Sequence, residues 1–371
     1  MVAQRPRIAL VVWSGVLGGA ETWSASMARA FRRAGADATV VSITESGLLG
    51  DRLADMGVPL VDLRLSRGGM LPRAAPRYAS AMRQVGTDGA ILMTSGYMAT
   101  CLRMGGYTMP IVGVEHGHIL QASSASRLGR RLELLDLYVG AHCVSAQVAV
   151  SKFMLRELKR VPHHRQVVTI PNGVNLEEFA PVRDVLADGR EAILGWAGRM
   201  IPGKGVDDLL RAFALIAETC CVRLCLAGDG PERNELEALA TRLGVATKVR
   251  FLGRQQNMSA FWNRCDIAVG SSSTFVESFG LSPLEASACG RPVVATQNGG
   301  YADVVKNGRT GRLVPVGDPR AMASALTAYL GCPALAREDG TRGRARAEAH
   351  FDICKCAEGY LELLRSVRRM T

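Results

Sequence analysis

Residues 192–227 read AILGWAGRMIPGKGVDDLLRAFALIAETCCVRLCLA, and this stretch contains one complete unit of a repeated pattern. The apolar run Ala192–Ala197 predicts a buried strand, the amphipathic stretch Val206–Glu218 predicts a helix, and Val222–Ala227 predicts the next strand. A strand, a helix and a second strand in this order are typical of a βαβ unit in a parallel sheet.

The same alternation of strands and helices runs through both halves of the chain. In the first half the predicted strands are Ile8–Trp13, Ala38–Ile43, Ala90–Met93, Ile111–Val114 and Val148–Val150. In the second half, after the two strands above, they are Val249–Leu252, Asp266–Val269, Val293–Ala295 and Arg312–Val314. Because the chain has 371 residues, about twice the usual single-domain length, we predict an α/β protein with two doubly wound domains. If the two domains face each other, the carboxyl ends of both sheets meet at one cleft.

A run of turn-forming residues separates the two halves. Residues 170–175 read IPNGVN, and a polar stretch continues from there to about Ala187. We therefore predict an N-terminal domain at 1–180, a linker, and a C-terminal domain at 188–350. The segment 351–371 predicts a terminal helix, which its periodicity alone assigns to neither domain.

Composition and charge limit the kinds of protein that this chain can be. It is 48% hydrophobic and 21% charged, as expected for a globular protein with a large core. The net charge is +11, yet neither half carries the dense basic run of a nucleic-acid-binding arm, so we expect no nucleic-acid partner. Phosphorylated ligands and an anionic membrane surface stay open as partners.

Cysteine usage and hydropathy indicate the compartment. The ten cysteines are scattered without a paired C-x-x-C spacing, which predicts free thiols in a reducing cytoplasm and no zinc site. Ile8–Trp13 is too short for a signal-peptide core, and the uncharged stretch Gly89–Leu102 is too short to span a bilayer. We expect a cytoplasmic protein, either soluble or held peripherally on the inner face of the cell membrane.

One segment of the first half has the composition of an interfacial helix. Its arginines and leucines alternate at helical spacing: Arg127, Leu128, Arg130, Arg131, Leu132 and Leu135. The two interpretations are a helix that binds an anionic membrane and an ordinary helix with its leucines packed inward and its arginines in solvent. The sequence alone leaves both open.

The loop after strand Ala192–Ala197 resembles a phosphate-binding loop. Residues 198–205 read GRMIPGKG, which nearly matches the P-loop pattern G-x-x-x-x-G-K-[ST]. Gly205 replaces the hydroxyl residue that would bind Mg²⁺, and no D-x-D sequence is present. Arg199 and Lys204 are nevertheless a suitable pair for a diphosphate, since one offers a planar fork of donors and the other a compact charge. The alternative is a loop whose two cations are only solvated.

The next strand is followed by Gly228-Asp229-Gly230-Pro231. These residues contain the first two glycines of a dinucleotide fingerprint, but Arg233 occupies the third position. A structural turn, with Asp229 or Gly230 as the helix cap, accounts for the pattern without a ligand. A nicotinamide enzyme is therefore disfavoured.

Two glutamates frame the most polar motif, which reads ESFGLSPLE at residues 277–285. Pro283 after Ser282 predicts a helix with Ser282 as its N-cap, which leaves Glu277 in the preceding loop and puts Glu285 in the first turn. Glu285 then has two possible roles, as the acidic partner of a capping box or as a ligand-binding carboxylate. The free amides around Phe279–Leu281, at the positive end of the helix, predict an anion seat.

Together these motifs resemble those of retaining GT-B glycosyltransferases of family 4. The matching segments occur in the family's order: Gly18-Gly19-Ala20-Glu21, Ile170–Val174, Gly198–Gly205, Gly228–Pro231, Glu277-x7-Glu285, Ala295–Gly300 and Gly308–Gly311. The resemblance implies two Rossmann-like domains facing across a cleft, with the terminal helix packed back on the first domain. It also implies a nucleotide-diphosphate sugar as donor, a glycosyl acceptor, and no metal or other cofactor.

The resemblance also implies roles for individual residues. Arg199 and Lys204 hold the donor diphosphate, Glu285 binds the ribose hydroxyls, and Glu277 binds the donor sugar. The implied donor contacts are completed by Gly18, Gly19, Ser278, Phe279, Gly280 and Leu281. A histidine after a first-domain strand is implied to face the donor sugar; His116 fits that pattern better, and His118 is the reserve candidate. The catalytic set is then His116, Arg199, Lys204 and Glu277. This chain has Gly270-Ser271-Ser272-Ser273 where the family often has Pro-Ser before the first glutamate.

We therefore expect a metal-independent hexosyltransferase that moves a sugar to an acceptor hydroxyl with retention. The acceptor is expected to be a glycan or polysaccharide precursor, a glycolipid or a small natural product. Two alternatives remain: a non-catalytic nucleotide-sugar-binding module of the same fold, and a P-loop-like phosphotransferase.

Overall fold

A computed structural model of the chain describes residues 5–13, 19–45, 47–64, 75–93, 96–116, 131, 138–160, 166–186 and 190–369. The chain divides into two compact units. Unit 1 consists of Met1–Gly173 and Ile353–Thr371, and unit 2 consists of Val174–Asp352. The first boundary therefore lies within the Pro-Asn-Gly-Val sequence, and the terminal helix is part of unit 1.

Unit 1 is built on a parallel sheet of seven strands. In chain order they are β1 Arg7–Val12, β2 Asp37–Ser42, β3 Leu60–Asp62, β4 Gly89–Leu92, β5 Ile111–Glu115, β6 Ala146–Ala149 and β7 Gln166–Thr169. Their order across the sheet is β3-β2-β1-β4-β5-β6-β7, and all neighbouring pairs are parallel. This is the doubly wound order, as predicted. The sequence did not predict β3 and β7, which lie at the two edges.

The described helices of unit 1 are α1 Gly19–Arg33, α2 Gly47–Asp55, α3 Ala75–Val85, α4 Gly96–Met104, α5 at 138–143, α6 Lys152–Leu158 and the terminal helix α14 Ile353–Arg368. Helix α14 packs against α1. It also lies close to β4, because a Cβ on Gly89 would stand 2.8 Å from Leu364 Cδ2. Among the described residues, no helix is long and apolar enough to cross a membrane.

Unit 2 contains a parallel sheet of six strands. They are β8 Ala192–Ala197, β9 Val222–Ala227, β10 Val249–Gly253, β11 Ile267–Gly270, β12 Val293–Thr296 and β13 Gly311–Val314. The helices are α7 Val206–Ala217, α8 Arg233–Arg242, α9 Met258–Arg264, α10 Leu281–Ala288, α11 Tyr301–Val304, α12 Pro319–Gly331 and α13 Pro333–His350. The strand order β10-β9-β8-β11-β12-β13 is again doubly wound.

The strand order of unit 2 indicates where a ligand site is expected. It reverses direction between β8 and β11, which pair in parallel. In open sheets of this kind, ligands bind outside the carboxyl ends of the strands at this reversal point. The loops that leave β8 and β11 at that edge are residues 198–205 and 271–280. The first contains the predicted cationic loop, and the second runs into the two-glutamate motif.

Candidate functional site

Backbone and side-chain hydrogen bonds join the two loops at the reversal point of unit 2. The carbonyl of Gly203 accepts from the amides of Ser273 at 2.7 Å and Phe275 at 3.1 Å. The Ser271 hydroxyl donates to the carbonyl of Lys204 at 2.8 Å. The loop after β8 is thereby held by the loop after β11, so residues about 70 positions apart in sequence form one surface.

Gly205 shows why the cationic loop is not a P-loop. Its φ is +64°, and a Cβ at this position would stand 2.0 Å from the carbonyl oxygen of Ser271. A P-loop requires a Ser or Thr here to bind Mg²⁺, and this site has no room for one. The geometry of Gly205 therefore contradicts the phosphotransferase alternative, which depends on a hydroxyl residue at this position.

Lys204 and Glu277, which the sequence assigns to different parts of a donor, form an ion pair. Lys204 Nζ donates to Glu277 Oε1 at 2.7 Å, and the two side chains are only 15% and 13% exposed. The ammonium group also lies 3.9 Å from the centroid of the Phe275 ring. Arg199, in the same loop, is exposed. The sequence indicated both charges as ligands, but it contained no sign of this direct contact.

Glu277 is held from several sides. Its Oε1 also accepts from the hydroxyl of Ser272 at 2.5 Å and from that of Tyr301 at 3.1 Å. Its amide donates to Asn298 Oδ1 at 3.3 Å. Within the part of the chain that the structure describes, Oε2 receives no hydrogen bond. One carboxylate oxygen is thus committed to the protein, and the other is available to a ligand.

Asn298 fixes the shape of the loop that leads to Glu277. Its side-chain amide donates to the carbonyls of Ser272 at 3.0 Å, Ser273 at 2.6 Å and Phe275 at 3.1 Å. Asn298 is buried, so these bonds are shielded from water. The sequence showed Asn298 only as part of the family resemblance and assigned it no role.

Helix α10 does not begin as the sequence predicted. Its N-cap is Gly280, with φ of +113°, and its first residue is Leu281. The hydroxyl of Ser282 donates to the carbonyl of Ala197 at 3.0 Å. The assignment of Ser282 as N-cap, of Pro283 as the first helical residue and of Glu285 as the partner of a capping box is therefore wrong. The left-handed turn at glycine starts the helix before Ser282 is reached.

The start of α10 leaves backbone donors available to an anion. Among the described residues, none accepts a hydrogen bond from the amides of Phe279, Gly280 and Leu281. The positive end of the helix favours a negative charge there. The side chain of Phe279 is buried and packs on Phe351, with a centroid distance of 5.6 Å, so only its backbone can meet a ligand. Ser278 precedes these amides and is partly buried.

Glu285 lies in the second turn of α10 instead of the first. Its Oε2 accepts a hydrogen bond from Trp262 Nε1 at 3.1 Å, and Trp262 is fully buried on α9. The indole thus holds the carboxylate at Oε2. The start of α10 at Gly280 excludes the capping-box role, and the role of Glu285 as a ligand stays a prediction. Trp262 was missed from sequence because a buried aromatic residue in a helix has the pattern of a core residue.

The glycines after β9 pack on the 198–205 loop and are not part of a dinucleotide-binding fingerprint. A Cβ on Gly228 would stand 1.8 Å from the carbonyl of Gly198, and one on Gly230 would stand 2.2 Å from that of Met200. The turn therefore packs directly on the 198–205 loop, in agreement with a structural role. The N-cap of α8 is Glu232, so the expectation of Asp229 or Gly230 as cap is wrong.

In unit 1, His116 follows β5 and packs against α1. Its ring meets that of Trp23 edge-on, with centroids 5.3 Å apart. His116 Nε2 is buried, and burial lowers the pKa of the imidazole to about 4, so the ring is neutral at pH 7. Gly19 is the first residue of α1. Gly18, His118 and the Arg/Leu stretch, apart from an exposed Arg131, lie outside the described residues.

Family models match nearly the whole chain. The model for glycosyltransferase family 4 matches residues 17–178, and the model for glycosyl transferases group 1 matches residues 182–346. The chain belongs to the glycosyltransferases of family 4. The two matches meet between residues 178 and 182, near the boundary of the two units.

Individual relatives agree with this family. N-acetyl-α-D-glucosaminyl L-malate synthase of Bacillus anthracis is 36% identical over 166 residues, covering 45% of this chain and 43% of the relative. D-inositol 3-phosphate glycosyltransferase of Streptomyces scabiei is 37% identical over 232 residues, covering 55% and 50%. The chain thus spans about half the length of the curated relatives it matches.

Solved structures establish the fold. Sucrose-phosphate synthase of Thermosynechococcus elongatus superimposes with a TM-score of 0.83 at 23% identity, covering 99% of this chain and 100% of that one. HepE of Anabaena, solved in complex with UDP and glucose, gives a TM-score of 0.83 at 22% identity, covering 97% and 99%. Both are GT-B glycosyltransferases, so the predicted α/β GT-B fold is confirmed.

Proposed function

We propose that the protein is a retaining glycosyltransferase that moves a sugar from a nucleotide-diphosphate sugar to an acceptor hydroxyl. The observation that supports this most is the convergence, at the reversal point of unit 2, of a cationic loop, unpaired amides and two carboxylates. Cations and amides suit a diphosphate, whereas carboxylate oxygens suit the hydroxyls of ribose and of a sugar. Family membership supports the same assignment.

The proposed division of labour follows the chemistry of each group. Arg199, Lys204 and the amides of Phe279–Leu281 bind the diphosphate, with Ser278 beside them. Glu285 accepts hydrogen bonds from the ribose diol, and Glu277 Oε2 accepts one from the donor sugar. Negative charge grows on the diphosphate as it leaves, so cations fixed beforehand stabilise the transition state. On this proposal the donor site works without a divalent metal.

The stereochemical course belongs to the same proposal. The acceptor attacks on the face from which the diphosphate departs, and the leaving phosphate takes the acceptor's proton. The bond from the anomeric carbon to phosphate breaks as the new glycosidic bond forms. His116 is proposed as a neutral partner for a donor-sugar hydroxyl, with His118 in reserve, and Gly18 and Gly19 as further donor contacts.

A product search tests the proposal. The full chain is incubated with UDP-, GDP- and ADP-sugars and a set of lipid, glycan and small-molecule acceptors, and products are identified by mass spectrometry. We expect an acceptor that gains one sugar, and the anomeric coupling constant of the product gives the configuration. Nucleotide-sugar binding without any product supports the non-catalytic module, and transfer of phosphate supports a phosphotransferase. Either result contradicts the proposal.

We propose in addition that unit 1 docks on an anionic membrane through the Arg127–Leu135 segment. Two exposed large hydrophobic side chains that follow this segment closely in sequence, Tyr138 and Val139, support this, and Met104 and Met109 of the same unit are exposed as well. Segments that contain both basic and apolar residues favour anionic interfaces. Co-sedimentation with phosphatidylglycerol vesicles, but not with phosphatidylcholine vesicles, is the expected result. Equal pelleting with both, or no change on replacing Arg127, Arg130 and Arg131 by Gln, removes this proposal.

A further inference from the structure

Three donors from three separate segments converge on one oxygen of Glu277. Lys204 comes from the loop after β8, Ser272 from the loop after β11, and Tyr301 from the first residue of α11. All three donate to Oε1, at 2.7, 2.5 and 3.1 Å. Two of these donors are neutral hydroxyls, and the sequence assigned a role to neither of them.

The Tyr301 hydroxyl is held in place by the packing of its ring. The residue is 5% exposed, and a Cβ on Gly280 would stand 2.7 Å from the ring, which shows how closely the backbone approaches it. On its other side the ring lies near Gly270, where a Cβ would stand 3.1 Å away. The hydroxyl also lies 3.2 Å from that of Ser272. A ring so enclosed cannot turn its hydroxyl away from Glu277.

Tyr301 remains a hydrogen-bond donor at any working pH. Burial and the neighbouring Glu277 both raise the pKa of the phenol well above its usual value. The hydroxyl therefore keeps its proton and steers the carboxylate without adding a charge. Lys204 differs in this respect, because its ammonium group is charged and is also the proposed ligand of the donor diphosphate.

We propose that Tyr301 is a positioning residue for the transfer reaction: with Ser272 it fixes Glu277 Oε1, so that Oε2 stays directed to the donor sugar when Lys204 engages the diphosphate. This rests on the proposed function, and specifically on Glu277 as the ligand of the sugar. Loss of the Tyr301 hydroxyl should therefore weaken the affinity contributed by the donor sugar and leave the affinity for the nucleotide unchanged.

The test compares two dissociation constants in each variant of the full chain. Isothermal titration gives the affinity for a nucleoside diphosphate and for its sugar, using whichever of the UDP/UDP-glucose, GDP/GDP-mannose and ADP/ADP-glucose pairs the parent binds most tightly. The readout is the ratio of the two constants. Tyr301→Phe keeps the ring between its glycines and removes only the hydroxyl. Tyr329→Phe is the matched control, because this buried tyrosine of unit 2 donates to Asp339 at 2.6 Å on a different helix.

We expect Tyr301→Phe to weaken the sugar nucleotide about three- to tenfold relative to the diphosphate, as one hydrogen bond is lost from the group that positions the ligand. Ser272→Ala should act in the same direction, whereas Tyr329→Phe should leave the ratio unchanged. A merely structural role would change both affinities together, and this result would overturn the inference.

Glu277→Gln separates failure of the inference from failure of the proposed function. If Glu277→Gln changes the ratio and Tyr301→Phe does not, Tyr301 is not a positioning residue and the donor site stands. If Glu277→Gln leaves the ratio unchanged, or if the parent binds none of the three pairs, the proposed role of Glu277 is wrong and the inference fails with it.

Discussion

Replacing Gly205 with serine would complete the P-loop pattern G-x-x-x-x-G-K-S, yet the structure predicts loss of stability and no metal site. Gly205 has a φ of +64°, and a non-glycine residue in this left-handed region costs about 1–2 kcal/mol. The new Cβ would also stand 2.0 Å from the carbonyl of Ser271. The Ser271–Phe275 segment must then move away from the loop.

That movement breaks hydrogen bonds, and the loss of stability that results can be estimated. The carbonyl of Gly203 accepts from Ser273 and Phe275, and each such bond contributes about 0.5–1.5 kcal/mol. Together with the cost of the left-handed backbone, Gly205→Ser should lower the free energy of unfolding of unit 2 by about 2–5 kcal/mol. Because Glu277 is anchored by the same loop, nucleotide-sugar binding should be lost as well.

Gly317→Ser provides the control. Gly317 has a φ of +70°, and a Cβ added there would have no heavy atom within 4 Å, so this variant reports the backbone cost alone, about 1–2 kcal/mol. Urea unfolding followed by tryptophan fluorescence measures both variants, with Trp196 and Trp262 reporting on unit 2. Equal destabilisation by the two serines would refute the argument from the Ser271 contact. Mg²⁺-dependent nucleotide hydrolysis by Gly205→Ser would revive the P-loop.

Three further predictions concern the metal, the histidine and Ser282. Turnover should persist in excess EDTA, since Arg199 and Lys204 replace a cation; loss of activity that Mg²⁺ or Mn²⁺ restores would contradict this. The pKa of His116 is lowered to about 4 in the folded chain, so below pH 6.5 the unfolded chain binds more protons at this residue than the folded chain does. The free energy of unfolding should therefore fall by about 2 kcal/mol between pH 7 and pH 5, an effect absent from His116→Gln. Urea titrations at both pH values measure it, and an equal fall in both proteins would be the contrary result. Ser282→Ala should lower stability by about 0.5–1.5 kcal/mol in a melting experiment and leave nucleotide affinity unchanged, since only the bond to Ala197 is lost; weaker nucleotide binding would show that Ser282 belongs to the site.

Strands in the middle of each sheet could be predicted because both of their faces are buried. Ala192–Ala197 is a continuous apolar run, Val222–Ala227 is interrupted only by Arg223, and the predicted bounds of both agree with β8 and β9. The edge strands Leu60–Asp62 and Gln166–Thr169 are short and partly exposed, so their sequences lack such a run. The edge strands of unit 2, β10 and β13, were nevertheless predicted, so what was missing at β3 and β7 is a local apolar run and not a central position in the sheet.

The candidate site divides in the same way. Spacing and charge indicated Lys204, Glu277 and Glu285, because a cationic loop and a pair of acids form local sequence patterns. The residues that hydrogen-bond to the two acids could not be predicted from such patterns. Trp262 lies 23 residues from Glu285, and Tyr301 lies 24 residues from Glu277. Such contacts exist only after the sheet has brought the loops together.

Ser282 shows the opposite error, in which a local pattern misleads. The sequence Ser-x-x-Glu matches a capping box, and the local rule is sound for an isolated helix. Here the helix starts earlier, because Gly280 adopts a positive φ, and the Ser282 hydroxyl donates a hydrogen bond to the carbonyl of Ala197 on β8. A tertiary contact thus overrides a local preference.

The central claim, that unit 2 binds the nucleotide part of a donor through Arg199, Lys204 and Glu285, is tested most directly by titrating a nucleoside diphosphate into Glu285→Gln. The glutamine keeps an oxygen for Trp262 but loses the charge that a ribose diol would meet. We expect affinity to fall by about 1.5–3 kcal/mol, roughly 10- to 150-fold, with a melting temperature close to that of the parent. If Glu285→Gln binds the nucleoside diphosphate as tightly as the parent does, Glu285 is not a donor ligand and the donor site has been assigned to the wrong residues.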